Sequence, residues 1–394
     1  MKKFMFLVLL CLAWLCPYSQ SVIYFDFVTH NEETSQWGLT PYYSANRTKI
    51  INLATYFQTK GITWNMQSDW TYLTAVLNLE TPVLTATTNN KNIQRYLYED
   101  LGVEMDPHAH ESQYTYPDVA KLMDSIGLPE SKVMGGTIYN DSNGVNIWTN
   151  LVPGQFGIIF PAHFWQPDYM MGGGTPNHVA DLKYYGIWNP QSPSTFLTHD
   201  TTSRLRQLGV GCALKVKDTT AVADLMAEIH ALVNNVQSGA YPLNSWYFQT
   251  IFFEQGDLNL STFYNKIIEI ADSINAIVTT GNAEWKTMKE AYTSWETTFA
   301  AQMFQWDCGM LTSINEKPET NQLIIFPNPA SDFIQFQTEK SLSAEISIYD
   351  RTGKSVLTRS TFGSNEKIDI RQFIPGIYFY QINDSVSGKL VVGR

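Results

Sequence analysis

Two histidines stand one residue apart in Asp106-Pro107-His108-Ala109-His110-Glu111. On an extended backbone, residues i and i+2 point the same way, about 6.5–7 Å apart along the chain. A divalent ion, most simply zinc with nitrogen ligands at about 2.0–2.1 Å, can sit between two such rings. A second polar group, His30-Asn31-Glu32-Glu33, closes the first apolar segment. His30 can add a third imidazole, or Glu32 or Glu33 a carboxylate, leaving positions open for water. Such a centre lowers the pKa of its water toward about 7 and polarises a carbonyl, which is the chemistry of a hydrolase. In this reading the metal ligands are His30, His108 and His110. Glu32 or Glu33 is the general base, and His199, beside Asp200, is the general acid. The competing reading has the paired histidines bonded to loop backbone and His199 as an ordinary loop residue.

Two other chemistries use different residues. A metal-independent glycoside hydrolase needs two carboxylates, and Glu32, Glu33, Asp69, Glu111, Glu254 and Asp257 all fall near expected strand ends. Their separation decides retention, near 5–5.5 Å, or inversion, near 6.5–9.5 Å. A non-catalytic glycan-binding barrel would instead use a platform of aromatic rings. Its candidates are Trp37, Tyr42, Tyr43, Trp64, Trp70, Tyr114, Trp148, Trp165 and Trp188, each of which also suits a core.

The elements that must position these residues alternate. Val22 to Thr29 is rich in β-branched and aromatic residues and reads as a strand. Arg47 to Lys60 places Ile50, Ile51, Leu53, Ala54 and Phe57 on one helical face, with Gly61 as its stop. A short strand follows at Ile62-Thr63-Trp64. The cadence recurs with helices at 93–101 and 116–126, strands at Val103-Glu104-Met105 and near Lys132-Val133-Met134, helix 221–236, strand 247–253 and helix 261–278. Strands alternating with helices predict an α/β fold with parallel strands, and the length suits a (β/α) barrel, complete or incomplete, over residues 21–310. In such barrels chemistry sits where strands end. No glycine-rich phosphate loop, dinucleotide fingerprint or Gly-x-Ser-x-Gly occurs, which argues against nucleotide binding and serine-hydrolase chemistry.

Composition limits the partners. Hydrophobic residues make 44% and charged ones 16%, enough apolar surface for a sizeable core and too little charge for a disordered chain. Lys2 and Lys3 followed by the apolar run Phe4 to Leu15 read as a signal peptide over residues 1–20. The run spans roughly 18 Å as a helix, short of the roughly 30 Å bilayer core. No later stretch is long enough to be a transmembrane helix. Removing the peptide leaves 24 basic against 37 acidic side chains, a balance of −13 that disfavours nucleic acid as a partner. Cys212 and Cys308 are the mature cysteines and can pair in an oxidising compartment.

After Cys308 the pattern changes. Residues 311–322 read as a polar linker, and residues 323–394 as a small antiparallel β-sandwich of short alternating strands. The turn Asp350-Arg351-Thr352-Gly353 suits a hairpin, with Gly353 free to take positive φ. Pro327-Asn328-Pro329-Ala330, then Ile348-Tyr349-Asp350 with Gly353, then Gly376-Ile377-Tyr378 and the tail Lys389 to Arg394 resemble the C-terminal sorting domain of the type IX secretion system of Bacteroidetes. The resemblance implies export to the cell surface or medium through that machinery.

Residues 103–127, with the polar group after the first strand and the stretch Gly281 to Met288, resemble the polysaccharide deacetylase family and its carbohydrate-active relatives. That family carries paired aspartates after its first strand, where His30-Asn31-Glu32 stands here, and spaces its motif histidines by four rather than two. The resemblance implies a secreted, metal-dependent hydrolase acting on an acetylated carbohydrate or other glycan.

Overall fold

The computed structural model describes residues 22–31, 34–110, 113–135, 152–171, 184–192, 195–212, 214–308, 324–326, 330–351, 353–382 and 386–393. The expected signal peptide and linker lie outside them. The chain divides into two compact units, 1–311 and 312–394.

In the first unit the elements run β1 (Ile23–Asn31), α1 (Thr40–Lys60), β2 (Trp64–Ser68), α2 (Trp70–Leu79), α3 (Pro82–Thr85), α4 (Ile93–Leu101), β3 (Glu104–Pro107), α5 (Tyr116–Ser125) and β4 (Val133–Gly135). Then come β5 (Gln155–Phe156), β6 (Phe164–Trp165), β7 (Tyr169–Met171), β8 (Tyr184–Trp188), β9 (Arg206–Val210), β10 (Leu214–Lys215) and α6 (Val222–Gln237). The unit ends with β11 (Tyr247–Glu254), α7 (Ser261–Val278), β12 (Ala283–Trp285), α8 (Met288–Thr298) and β13 (Phe304–Asp307).

One sheet has the order β10-β11-β1-β2-β3, with β12 also on β1, and its pairings are parallel. The second has the order β13-β8-β9-β7-β4. In it β4, β7 and β9 are parallel, β8 runs against them, and β13, antiparallel to β8, runs with them again. A parallel bridge from His108 to Gly135 joins β3 to β4. At the other side, Gln249 Nε2 and Thr250 Oγ1 of β11 donate to the Val210 carbonyl of β9 at 3.3 and 3.4 Å.

The fold is therefore mixed α/β with parallel strands. A closed barrel is not shown. Among the described residues no backbone ladder joins β9 to β11, and β8 runs against the strands on either side of it.

The near-continuous apolar run of β1 follows from its having two covered faces. Ile23, Phe25 and Phe27 join the core under the helices, whereas Tyr24 and Val28 join a second cluster on the inner face. Helix α8 adds Met288, Ala291 and Trp295 to that inner cluster. Helix α1 starts seven residues before the expected Arg47, because Pro41 fits the first turn and Tyr43 and Asn46 are buried there. Its stop is as expected: Gly61 takes φ +67°. The second strand overlaps the expected Ile62-Thr63-Trp64 only at Trp64 and runs on to Ser68, since the polar Asn65, Gln67 and Ser68 are themselves buried in it.

The second unit runs β14 (Ile324–Phe326), β15 (Phe333–Tyr349), β16 (Ser355–Asp369), β17 (Gly376–Ile382) and β18 (Val386–Val392). Its ladders are antiparallel, in the order β14-β15-β17-β18 with β16 on β15. The expected antiparallel strands are present. The long β15 pairs with β14 near its start and with β17 near its end, and its register against β16 shifts between Gln337 and Leu342. Ile334, Ile346, Ile348, Ile368, Ile370 and Leu390 form its core. The Asp350–Gly353 turn is present, with Gly353 at φ +82°.

Candidate functional site

The C-terminal ends of β1, β3 and β11 bring unusual side chains together. His30 has the strand parity of Tyr24 and Val28, so it faces the inner side, and it stands in register with Gln67 of β2 and Glu254 of β11. His108 is fully buried, and its backbone amide donates to the Ser68 carbonyl at 2.9 Å. The rings of His30 and His108 lie 4.2 Å apart between centroids, and those of His108 and His110 4.7 Å. His108 Nε2 and His110 Nε2 are 2.9 Å apart, one donating to the other. The edge of Phe252 packs on His30 at 4.5 Å, and Lys215 lies over the same Phe252 ring while pairing with Glu254 at 2.8 Å.

A buried amide network ties these strand ends to the helix layer outside them. Asn31 Nδ2 donates to Ser68 Oγ and Gln255 Oε1, and Asn31 Oδ1 accepts from the Asp69 amide. Gln255 in turn donates to Asn46 Oδ1, which ties the strand ends to α1. Gln67 packs so closely on Gly135 that a Cβ there would lie 2.1 Å from Gln67 Oε1. Only glycine lets β3 and β4 meet at the His108 bridge without displacing that side chain.

The sequence candidates are thus sorted. His30, His108 and His110 come together. Glu32, Glu33 and Glu111 lie outside the described residues. His199 does not join them: it bridges Pro190 past the end of β8, and β8 runs against β9, so it lies at the opposite end of the parallel strands. Its Nδ1 accepts from the Asn189 amide at 3.1 Å, which is a loop-holding role. Asp69 caps α2 by accepting from the Tyr72 amide. Glu254 is occupied by Lys215, and Asp257 sits in a short 3-10 turn where burial raises its carboxyl.

Of the aromatic candidates, Trp37, Tyr43, Trp64, Trp165 and Trp188 are core residues with 0–2% exposure. Trp148 lies outside the described residues. Tyr42 packs edge-on against Trp37. Trp70 and Tyr114 are different: half-buried, after β2 and β3, they stack on each other at 4.8 Å with planes 14° apart.

Two nitrogens on one tetrahedral zinc stand about 3.3 Å apart, with a lone pair of each aimed at the ion. At 2.9 Å the His108 and His110 nitrogens are aimed at each other. Among the described residues no group of three or more His, Cys, Asp or Glu can hold a metal ion. What the pair can do is relay a proton, since a neutral imidazole donates at one nitrogen and accepts at the other.

One charged group escaped the sequence reading. Asp26, Glu104 and Asp106 face the inner side of β1 and β3. Asp26 is fully buried, and neither of its oxygens has a hydrogen-bond partner among the described residues. Burial, then the Glu104 charge, pushes its carboxyl well above the usual range. Glu104, at the N-terminus of α8, accepts from the Lys289 amide; burial and the Asp106 charge push it to about 8. Asp106 accepts from Asn65 Nδ2 at 2.6 Å and from the Ser131 hydroxyl, and burial pushes it to about 6. The signal available in the sequence was an aspartate inside an apolar strand, Tyr24-Phe25-Asp26-Phe27.

Three solved structures resemble the chain. The 4-α-glucanotransferase of Thermococcus litoralis is 11% identical with a TM-score of 0.39; the match covers 69% of this chain and 38% of that one. A candidate polysaccharide deacetylase from Mycobacterium smegmatis is 8% identical with a TM-score of 0.34, covering 68% and 94%. A family 26 endo-β-1,4-mannanase from Cellulomonas fimi is 9% identical with a TM-score of 0.18, covering 84% and 77%. At these scores none bears on function. No curated protein matches the chain. No described helix is long and apolar enough to cross a membrane. Residues 324–392 match the family of secretion system C-terminal sorting domains. Those residues, which make the antiparallel second unit, are the address by which this chain is exported, to the medium or the cell surface, through the type IX machinery.

Proposed function

We propose that the first unit is an exported hydrolase of carbohydrate derivatives, with removal of acetyl groups from a glycan as its reaction. The unit is read as an incomplete (β/α) barrel: seven parallel strands, β11-β1-β2-β3-β4-β7-β9, whose two ends meet at the Val210 carbonyl. The convergence of three imidazoles from β1 and β3 at one mouth is the observation that carries the reading. One imidazole of the His108–His110 pair takes a proton from water as its oxygen adds to the acetyl carbonyl. The proton then passes to the sugar oxygen or nitrogen as its bond to the acyl carbon breaks. His30, packed against His108, limits the ring orientations that the pair can adopt.

The test is release of acetate against release of reducing sugar, measured on the mature full-length chain with acetylated glycans. Acetate release that falls at least about a hundredfold in His108→Ala and in His110→Ala is expected. Reducing sugar released without acetate, unaffected by either change, would replace this reading with the two-carboxylate glycosidase. Elemental analysis of the same samples decides the metal. Stoichiometric zinc lost with both histidines would make His30, His108 and His110 ligands of a hydrolytic centre.

A further inference from the structure

We infer that the stacked pair Trp70 and Tyr114 forms one wall of a saccharide-binding subsite beside the imidazole mouth, which makes a sugar ring the group held there. This rests on the placement of the reaction at His108 and His110. Three observations meet in it. Trp70 opens α2 two residues past Ser68, and the Ser68 carbonyl accepts from the His108 amide, so the start of α2 adjoins the strand end that carries the histidines. Tyr114 lies four residues after His110 on the same loop and stacks on Trp70 with planes 14° apart. Both rings remain half-buried, whereas the tryptophans singled out elsewhere among the described residues are enclosed in the core.

Stacked on each other and packed against the core, the two rings hold one another in place, and the outer face of one is the flat, weakly polar surface left to a ligand. The C–H faces of a pyranose suit such a surface, with the hydroxyls left at the rim to hydrogen-bond. The pair is braced from below: Asp69 caps α2 through the Tyr72 amide, and Asn31 fixes the Asp69 amide in turn. The platform is therefore set before any ligand arrives, which lowers the ordering cost of binding.

The experiment uses calorimetry and acetate-release kinetics on the mature full-length chain. The probes are two tetramers, an N-acetylated chito-oligosaccharide and an O-acetylated xylo-oligosaccharide. Trp70→Ala and Tyr114→Ala are each expected to raise Kd and KM about tenfold with kcat retained, and Trp70→Phe and Tyr114→Phe to recover most of the loss. His108→Ala should do the reverse, losing kcat while keeping Kd. If Trp70→Ala disturbs folding by circular dichroism, Tyr114→Ala, on a loop, carries the test. Unchanged Kd and KM in Tyr114→Ala would overturn the subsite while the hydrolase stands. If the unaltered protein neither binds nor turns over either tetramer, both readings fall.

Discussion

His108 and His110 show how far a spacing can be read. Two positions apart on an extended chain puts two rings on one side, and the structure does bring them and His30 to one mouth. The spacing cannot say whether the nitrogens aim at a common ion or at each other. That depends on side-chain torsions set by packing, here the Gly135 bridge at His108 and the His30 ring against it. Gly135 gives a direct test at this scale. Gly135→Ala places a methyl group against the enclosed Gln67 amide and is expected to cost about 1–3 kcal/mol. The measurement is the midpoint of chemical denaturation. An unchanged midpoint would mean that β3 and β4 do not meet as described. Asp69 is the opposite case. It was a candidate acid and proves to be a helix cap, so Asp69→Ala should cost about 1 kcal/mol of stability.

Strand parity, at the scale of elements, decides which polar residues face the inner layer. Asp26, Glu104 and Asp106 occupy it, and their raised carboxyls have a consequence for pH. A carboxyl whose folded pKa lies above its unfolded one favours the folded state when protonated. For Glu104 the stability is full below the ordinary carboxylate range and is lost as pH rises through about 8. Thermal midpoints measured from pH 4 to 9 should therefore fall across that window. Glu104→Gln keeps an acceptor for the Lys289 amide, removes the charge, and should flatten the slope. A slope of the same size in that variant would assign the effect to other groups.

The whole molecule combines an export address with a staple. Cys212 and Cys308 form a disulfide across a sequence separation of 96, with Cα atoms 5.7 Å apart. Closing a loop of that length removes unfolded-state entropy worth about 4–5 kcal/mol in the chain-entropy account. Cys212→Ser with Cys308→Ser is expected to lose most of it, seen as a lower denaturation midpoint than that of the oxidised protein. Deleting residues 324–394 should leave the first unit folded and hold it in the periplasm. Cell fractionation reads this, and export of the truncated chain would contradict the role given to the second unit.

The sequence by itself determined what rests on local physics. Gly61 and Gly102 stop their helices because only glycine takes positive φ there without strain. The two-faced apolar run of β1 and the helices at 93–101 and 261–278 follow from periodicity, and the sorting domain from motifs whose order along the chain is itself the information. Only the tertiary structure decided what depends on distant partners. The antiparallel strands β8 and β13 pair with each other across more than a hundred residues, and no local pattern encodes that choice. His199 and Asp69 left the list of reacting groups, and Trp70 and Tyr114 separated from the core tryptophans. A side chain's role is set by what the fold places beside it. Residue type and spacing restrict the possible roles, and burial and neighbours select among them.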